Sequence, residues 1–126
     1  MVHQYKLNGY NIVLDTCSGS VHTVDEVAYD VIDMYKDNSP EDIVKALLEK
    51  YNLKCVSVHQ GIDFYNDDPK AACEFLKTFG VKYNVIPWYD KDKLYGTPDW
   101  EKTKEKFIWL SELLYENGMK FGYHNH

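Results

Sequence analysis

The run Lys54-Cys55-Val56-Ser57-Val58 decides how this chain is read. It is a short apolar stretch of strand length, it follows a helical segment, and the order of elements changes across it. Downstream, Asp68-Pro69 opens a helix with Ala72, Phe75, Leu76 and Phe79 inward, and Gly80 closes it. Residues 82–86 read as a second strand ended by Pro87. Thr97-Pro98-Asp99 starts a long helix with Phe107, Leu110 and Leu114 inward and Gly118 at its end, and residues 120–124 read as a third strand. Strand–helix–strand–helix–strand implies parallel strands joined by crossover helices.

Upstream the order is β-β-β-α-α. Residues 3–7 and 10–15 flank Asn8-Gly9, the preferred pair of a type I′ hairpin because both central residues need positive φ. Tyr10, Ile12 and Leu14 alternate with Asn11, Val13 and Asp15, so the Tyr10 face is the one expected to be buried. Residues 17–20 read as a second turn and Val21-His22-Thr23-Val24 as a third strand. Asp25 reads as the cap of a helix carrying Val27, Val31, Ile32 and Tyr35. Ser39-Pro40-Glu41-Asp42 combines a hydroxyl cap, proline at the first helical position and acids in the first turn, and Ile43, Ala46, Leu47 and Tyr51 form the apolar stripe that follows. The expected fold class is therefore α+β, with one domain over residues 1–50 and another over 51–126.

Composition bounds the function. The 126 residues carry a net charge of −6, and all fourteen basic side chains are lysine. Without arginine there is no planar fork donor for phosphate, which argues against a nucleic-acid partner, and the acidic balance argues against an anionic membrane surface. Cys17, Cys55 and Cys73 are an odd number with no C-x-x-C pair, as expected of ordinary thiols in a reducing cytoplasm. The first residues lack a basic-then-apolar signal pattern, and no apolar run approaches the ~20 residues of a membrane span.

The run from His3 to Asp15, with Ser18-Gly19-Ser20-Val21-His22 and Val24-Asp25, resembles the N-terminal recognition domain of radical-SAM maturases that install thioether links in Cys-rich SCIFF peptides. The resemblance spans about residues 2–36 and extends toward 50. It implies a winged-helix-like module that binds the leader segment of a precursor peptide as a strand added to its third β-strand, here Val21, His22, Thr23 and Val24. Two features depart from the family. The chain turns into a barrel-like strand at Lys54 where the family has a third helix, and the C-x-x-x-C-x-x-C cluster motif is absent, so maturase chemistry is not expected in this chain.

Residues from about 45 onward are similar to the sugar phosphate isomerase/epimerase family of xylose-isomerase-like TIM barrels. The carrying residues are Ala46-Leu47-Leu48-Glu49-Lys50-Tyr51-Asn52-Leu53-Lys54, Val58-His59, Phe75-Leu76-Lys77, Gly80-Val81-Lys82-Tyr83, Val85-Ile86-Pro87-Trp88-Tyr89, and Glu116-Asn117-Gly118-Met119-Lys120 with Gly122-Tyr123-His124-Asn125-His126. The resemblance implies three β/α units of an incomplete barrel, since a whole one needs roughly 200–250 residues. It also implies keto-sugar or cyclitol substrates, proton transfer beside a carbonyl, and a divalent metal in the full-length family. No cofactor is expected in this chain.

Barrel sites lie at the C-terminal ends of strands, where His59, Trp88, His124 and His126 fall; these are the expected substrate-pocket residues. His124 and His126 stand two apart on a strand and so point to one side. Each has a plainer reading: His59 as a satisfied polar residue, Trp88 as packing, and the last two as a chain end. No residue is assigned as catalytic or as a metal ligand. Asp63 and Asp90 follow strand ends without any mark of a base, and Asp67, Asp68 and Asp99 read as helix-start residues. Two function classes stand open: a peptide-binding module, which is favoured, and a sugar isomerase/epimerase of which this chain is a part. Both families could contribute a helix like that of residues 40–51, so a crossover there would splice them in frame, whether as a recombination product, a designed fusion or a fragment of mistaken assembly. Self-association is expected from unpaired outer strands, with Val56, Val58, Val85 and Ile86 adding exposed apolar surface.

Overall fold

Asn8 and Gly9 both take positive φ, +52° and +81°, the signature of the I′ turn, and they join β1 (Val2–Leu7) to β2 (Tyr10–Asp15). The computed structural model describes residues 1–125. These residues form an α+β fold of two three-stranded sheets, one antiparallel and one parallel, with four α-helices and no closed barrel among the described residues. The chain divides into two units, Met1–Leu53 and Lys54–His126, three residues beyond the boundary expected from sequence.

In the first unit β3 (Ser20–Val24) pairs antiparallel with β2, giving the order β1-β2-β3. Asp15 holds the β2–β3 turn by accepting from the Cys17 amide at 2.9 Å and the Ser18 hydroxyl at 2.7 Å. Asp25 caps α1 (Glu26–Met34) and Ser39 caps α2 (Pro40–Lys50), each accepting from a first-turn amide. The Asp30 carboxylate ties the helices together: Lys50 Nζ donates to it at 2.5 and 2.7 Å and the Tyr51 hydroxyl donates at 2.7 Å.

Helix α1 covers the opposite sheet face from the one expected. Gln4 Nε2 donates to the Tyr29 carbonyl at 2.6 Å, while Lys6 and Asn11 reach the Glu26 carboxylate at 2.7 and 3.0 Å. Gln4 pairs with Val13 and Lys6 with Asn11, so the helix sits on the Val13 face. Val13 is 5% exposed and Tyr10 62% exposed. Polar anchors to the helix and one valine, rather than the larger apolar set, select the covered side. Tyr35 and Val27, read as inward, are also exposed.

The second unit has β4 (Ser57–His59), α3 (Pro69–Thr78), β5 (Tyr83–Ile86), α4 (Trp100–Glu116) and β6 (Lys120–Tyr123), with parallel order β4-β5-β6. Its strands are shorter than expected: Lys54, Cys55 and Val56 lie outside β4, and Val56 instead offers its carbonyl to the amides of Lys82 and Tyr83. Gly80 and Gly118 take φ of +73° and +76° and close the two helices. Ala72, Cys73 and Leu76 of α3 and Leu110 and Leu114 of α4 form one core with Ile86, with Val58, Phe121 and Tyr123 packed against it. A 3₁₀ turn (Ile62–Tyr65), which no motif in the sequence announces, adds the fully buried Tyr65.

The apolar surface expected at Val56, Val58, Val85 and Ile86 is mostly covered. Ile86 is fully buried and Val58 and Val85 are half-buried; only Val56 stands exposed. Alternation leaves Ser57, His59, Tyr83, Val85, Lys120 and Gly122 on the face away from the helices, which is a mostly polar surface.

Candidate functional site

The first candidate is the outer edge of β3. One side of β3 is paired with β2 and the other has no strand partner among the described residues. Val21, His22 and Thr23 are exposed and Val24 is half-buried. Helix α1 takes its side-chain hydrogen bonds from β1 and β2. Its Glu26 meets Lys6 and Asn11, and its Ile32 and Asp33 line a cleft of about 250 Å³ with Val2 and Gln4 of β1. The Lys6 ammonium, followed by the Asn11 amide, holds the Glu26 carboxyl below the usual carboxylate range. Lys6 is correspondingly raised, so this anchor is ionised at neutral pH. No third helix follows α2 in the unit.

The second candidate lies at the C-terminal ends of the parallel strands. His59 ends β4 and His124 follows β6, and their ring centroids stand 5.8 Å apart at 42°. Gly122 shares a cross-strand row with His59 and Val85. A Cβ there would come within 3.2 Å of Val85 Cγ2, so glycine keeps this row tight. Trp88 belongs to another place. It is 65% exposed and lines a cleft of about 290 Å³ with Tyr89, Asp63, Asp90, Lys93 and Lys106; neither histidine lines that cleft. Asp90 accepts from the Asp92 amide at 3.0 Å and pairs with Lys93 at 3.2 Å, which together hold its carboxyl below its ordinary range. Asn84 is fully buried and donates through Nδ2 to the Gln60 carbonyl at 3.2 Å, fixing the loop that carries Gly61 and Asp63 into the cleft. His126 lies outside the described residues.

Lys93 and Lys106 were not anticipated as site residues. Lys106 falls beside Phe107, whose ring packs edge-on against Tyr89 with centroids 5.2 Å apart and also meets Phe121 and Tyr123, contacts that set this part of α4 by the strand ends. His59 and His124 are two nitrogen ligands, and among the described residues no group of three or more His, Cys, Asp or Glu could hold a metal ion.

No protein-family model matches the chain, and no curated protein matches it. No helix among the described residues is long and apolar enough to cross a membrane.

Proposed function

We propose that residues 1–53 form a winged-helix-like peptide-recognition module that takes an extended segment as a fourth strand along the outer edge of β3. One observation carries this reading: the edge is unpaired, with Val21, His22 and Thr23 exposed along it. An unpaired edge offers backbone donors and acceptors that an extended peptide satisfies, and alternate side chains then give selectivity. The ligand class is the leader segment of a Cys-rich precursor peptide, as in SCIFF maturation in the cytoplasm. A fluorescent leader peptide titrated with the chain should give saturable anisotropy, and N-methylation of alternate peptide amides should abolish it. Equal binding of the N-methylated peptide rules out strand addition.

A second reading has its own support in the Trp88 cleft. An exposed indole beside two carboxylates and two lysines suits a polyol, with stacking on the ring and hydrogen bonds to both charge types. On this reading residues 54–126 are three β/α units of an incomplete xylose-isomerase-like TIM barrel that hold a keto-sugar or cyclitol. Isomerisation needs an acid and a base on opposite sides of the reacting carbon and a group to stabilise the enediolate. No residue here is assigned those roles, so binding without turnover is the expectation. Quenching of Trp88 fluorescence by a ketose, lost in Trp88→Ala, tests it.

A further inference from the structure

We infer that the chain forms a two-fold dimer through the open face of its antiparallel sheet. The β1–β2 and β2–β3 registers place Tyr5, Leu7, Tyr10, Ile12, Leu14 and Val21 on the face away from α1. Four of the six, Tyr5, Leu7, Tyr10 and Val21, are between 44% and 62% exposed. The other two positions on the face are His3 and Thr23, so the face carries no lysine and no carboxylate. The unit around it is acidic, with nine Asp and Glu against four Lys in residues 1–53. A second copy can meet this face without setting like charges against each other.

Area favours a second copy meeting the face over a flat contact with no specificity. With bare aromatic side chains offering ~200 Å² each, the six residues present on the order of 500–600 Å² per copy. Two copies then bury roughly 1,000–1,200 Å², at the lower edge of specific interfaces. That is the upper end of the largest apolar patch on an ordinary monomer, about 300–600 Å², which is often functional. Packing of the two sheets across a two-fold axis makes the interface isologous, Tyr10 of each copy meeting the same surface of the other. The β3 edge stays free, so each copy keeps its proposed peptide site.

Sedimentation velocity over 5–500 μM tests this. The chain should pass from monomer to dimer with a midpoint on the order of tens of micromolar, and Leu7→Lys with Tyr10→Lys should weaken it at least tenfold. Val56→Lys, near the β4 edge, should leave the midpoint unchanged. A far-UV spectrum unchanged from the parent establishes that the double variant is folded. Hydroxyl-radical footprinting of the parent supplies a measurement free of substitution. Tyr5 and Tyr10 should gain protection as concentration rises, while Tyr95 and Tyr115 should not. A monomer at 500 μM overturns the inference. So does a dimer that survives the double variant, or one that Val56→Lys dissolves.

Discussion

Replacing Asp30 by Asn removes one charge from the point where α1 and α2 are joined. The Asp30 side chain is 15% exposed and receives two hydrogen bonds from Lys50 and one from Tyr51. Asn keeps an acceptor for the phenol but loses the ion pair. Lys50 is half exposed, which screens the charge term to ~1 kcal/mol; full removal in Asp30→Ala should cost ~1.5–3 kcal/mol, as for hydrogen bonds to a charged group. Such a loss is large for this unit, whose buried apolar side chains are Val13 and Ile43. A unit of this size is expected to sit near the lower limit of domain stability, ~5 kcal/mol. Lys50, then Tyr51, lower the Asp30 carboxyl below its ordinary value. Its contribution is therefore present above the unfolded carboxylate pKa and disappears as pH falls through the lowered folded one. The Tyr51 phenol is pushed up to about 12, chiefly by its hydrogen bond to Asp30, so its contribution is present below its ordinary value and fades as pH rises toward 12. All three tryptophans, Trp88, Trp100 and Trp109, lie in the other unit, so hydrogen exchange of the β2 amides in urea is the suitable assay. The parent and Asp30→Asn should differ at pH 7 and converge toward pH 2. A difference that is the same at pH 7 and pH 2 would refute the argument.

Gly9→Ala places a Cβ at a φ of +81° and should cost ~1–2 kcal/mol, read as faster exchange in β1 and β2. Leu110→Ala empties a fully buried position in the second core and should cost ~3–5 kcal/mol, read as a lower urea midpoint of tryptophan fluorescence. Exchange of a ketose C–H proton with solvent, with or without Mn²⁺ or Mg²⁺, should not exceed that of a His59→Ala control; metal-dependent exchange above it would restore the enzyme reading.

The local signals in the sequence mapped well onto structure where a single residue type forces a conformation. Asn8-Gly9 gave the hairpin, Ser39-Pro40 and Asp68-Pro69 opened α2 and α3, and Gly80 and Gly118 ended α3 and α4. The sheet face chosen by α1 was not legible, because the alternation of Tyr10, Ile12 and Leu14 says which residues share a face and not which face a helix will take. Gln4, Lys6 and Asn11 settled that through hydrogen bonds to α1 residues that follow them by 15 to 25 positions. In the second unit the strand-end positions of His59 and His124 were legible, but their 5.8 Å approach depends on the β4-β5-β6 order. Trp88 could be placed after β5; its partners Lys93 and Lys106 could not, since they reach it from a 3₁₀ turn and from α4.

Amide hydrogen exchange of the full chain with and without a leader peptide tests β3 as the peptide-accepting edge most directly. At saturation the amides of residues 20–24 should slow at least tenfold. Those of β1 and of the parallel strands β4, β5 and β6 should keep their rates. Slowing centred on β1, slowing at the C-terminal ends of the parallel strands, or no slowing of residues 20–24 at saturation would contradict it.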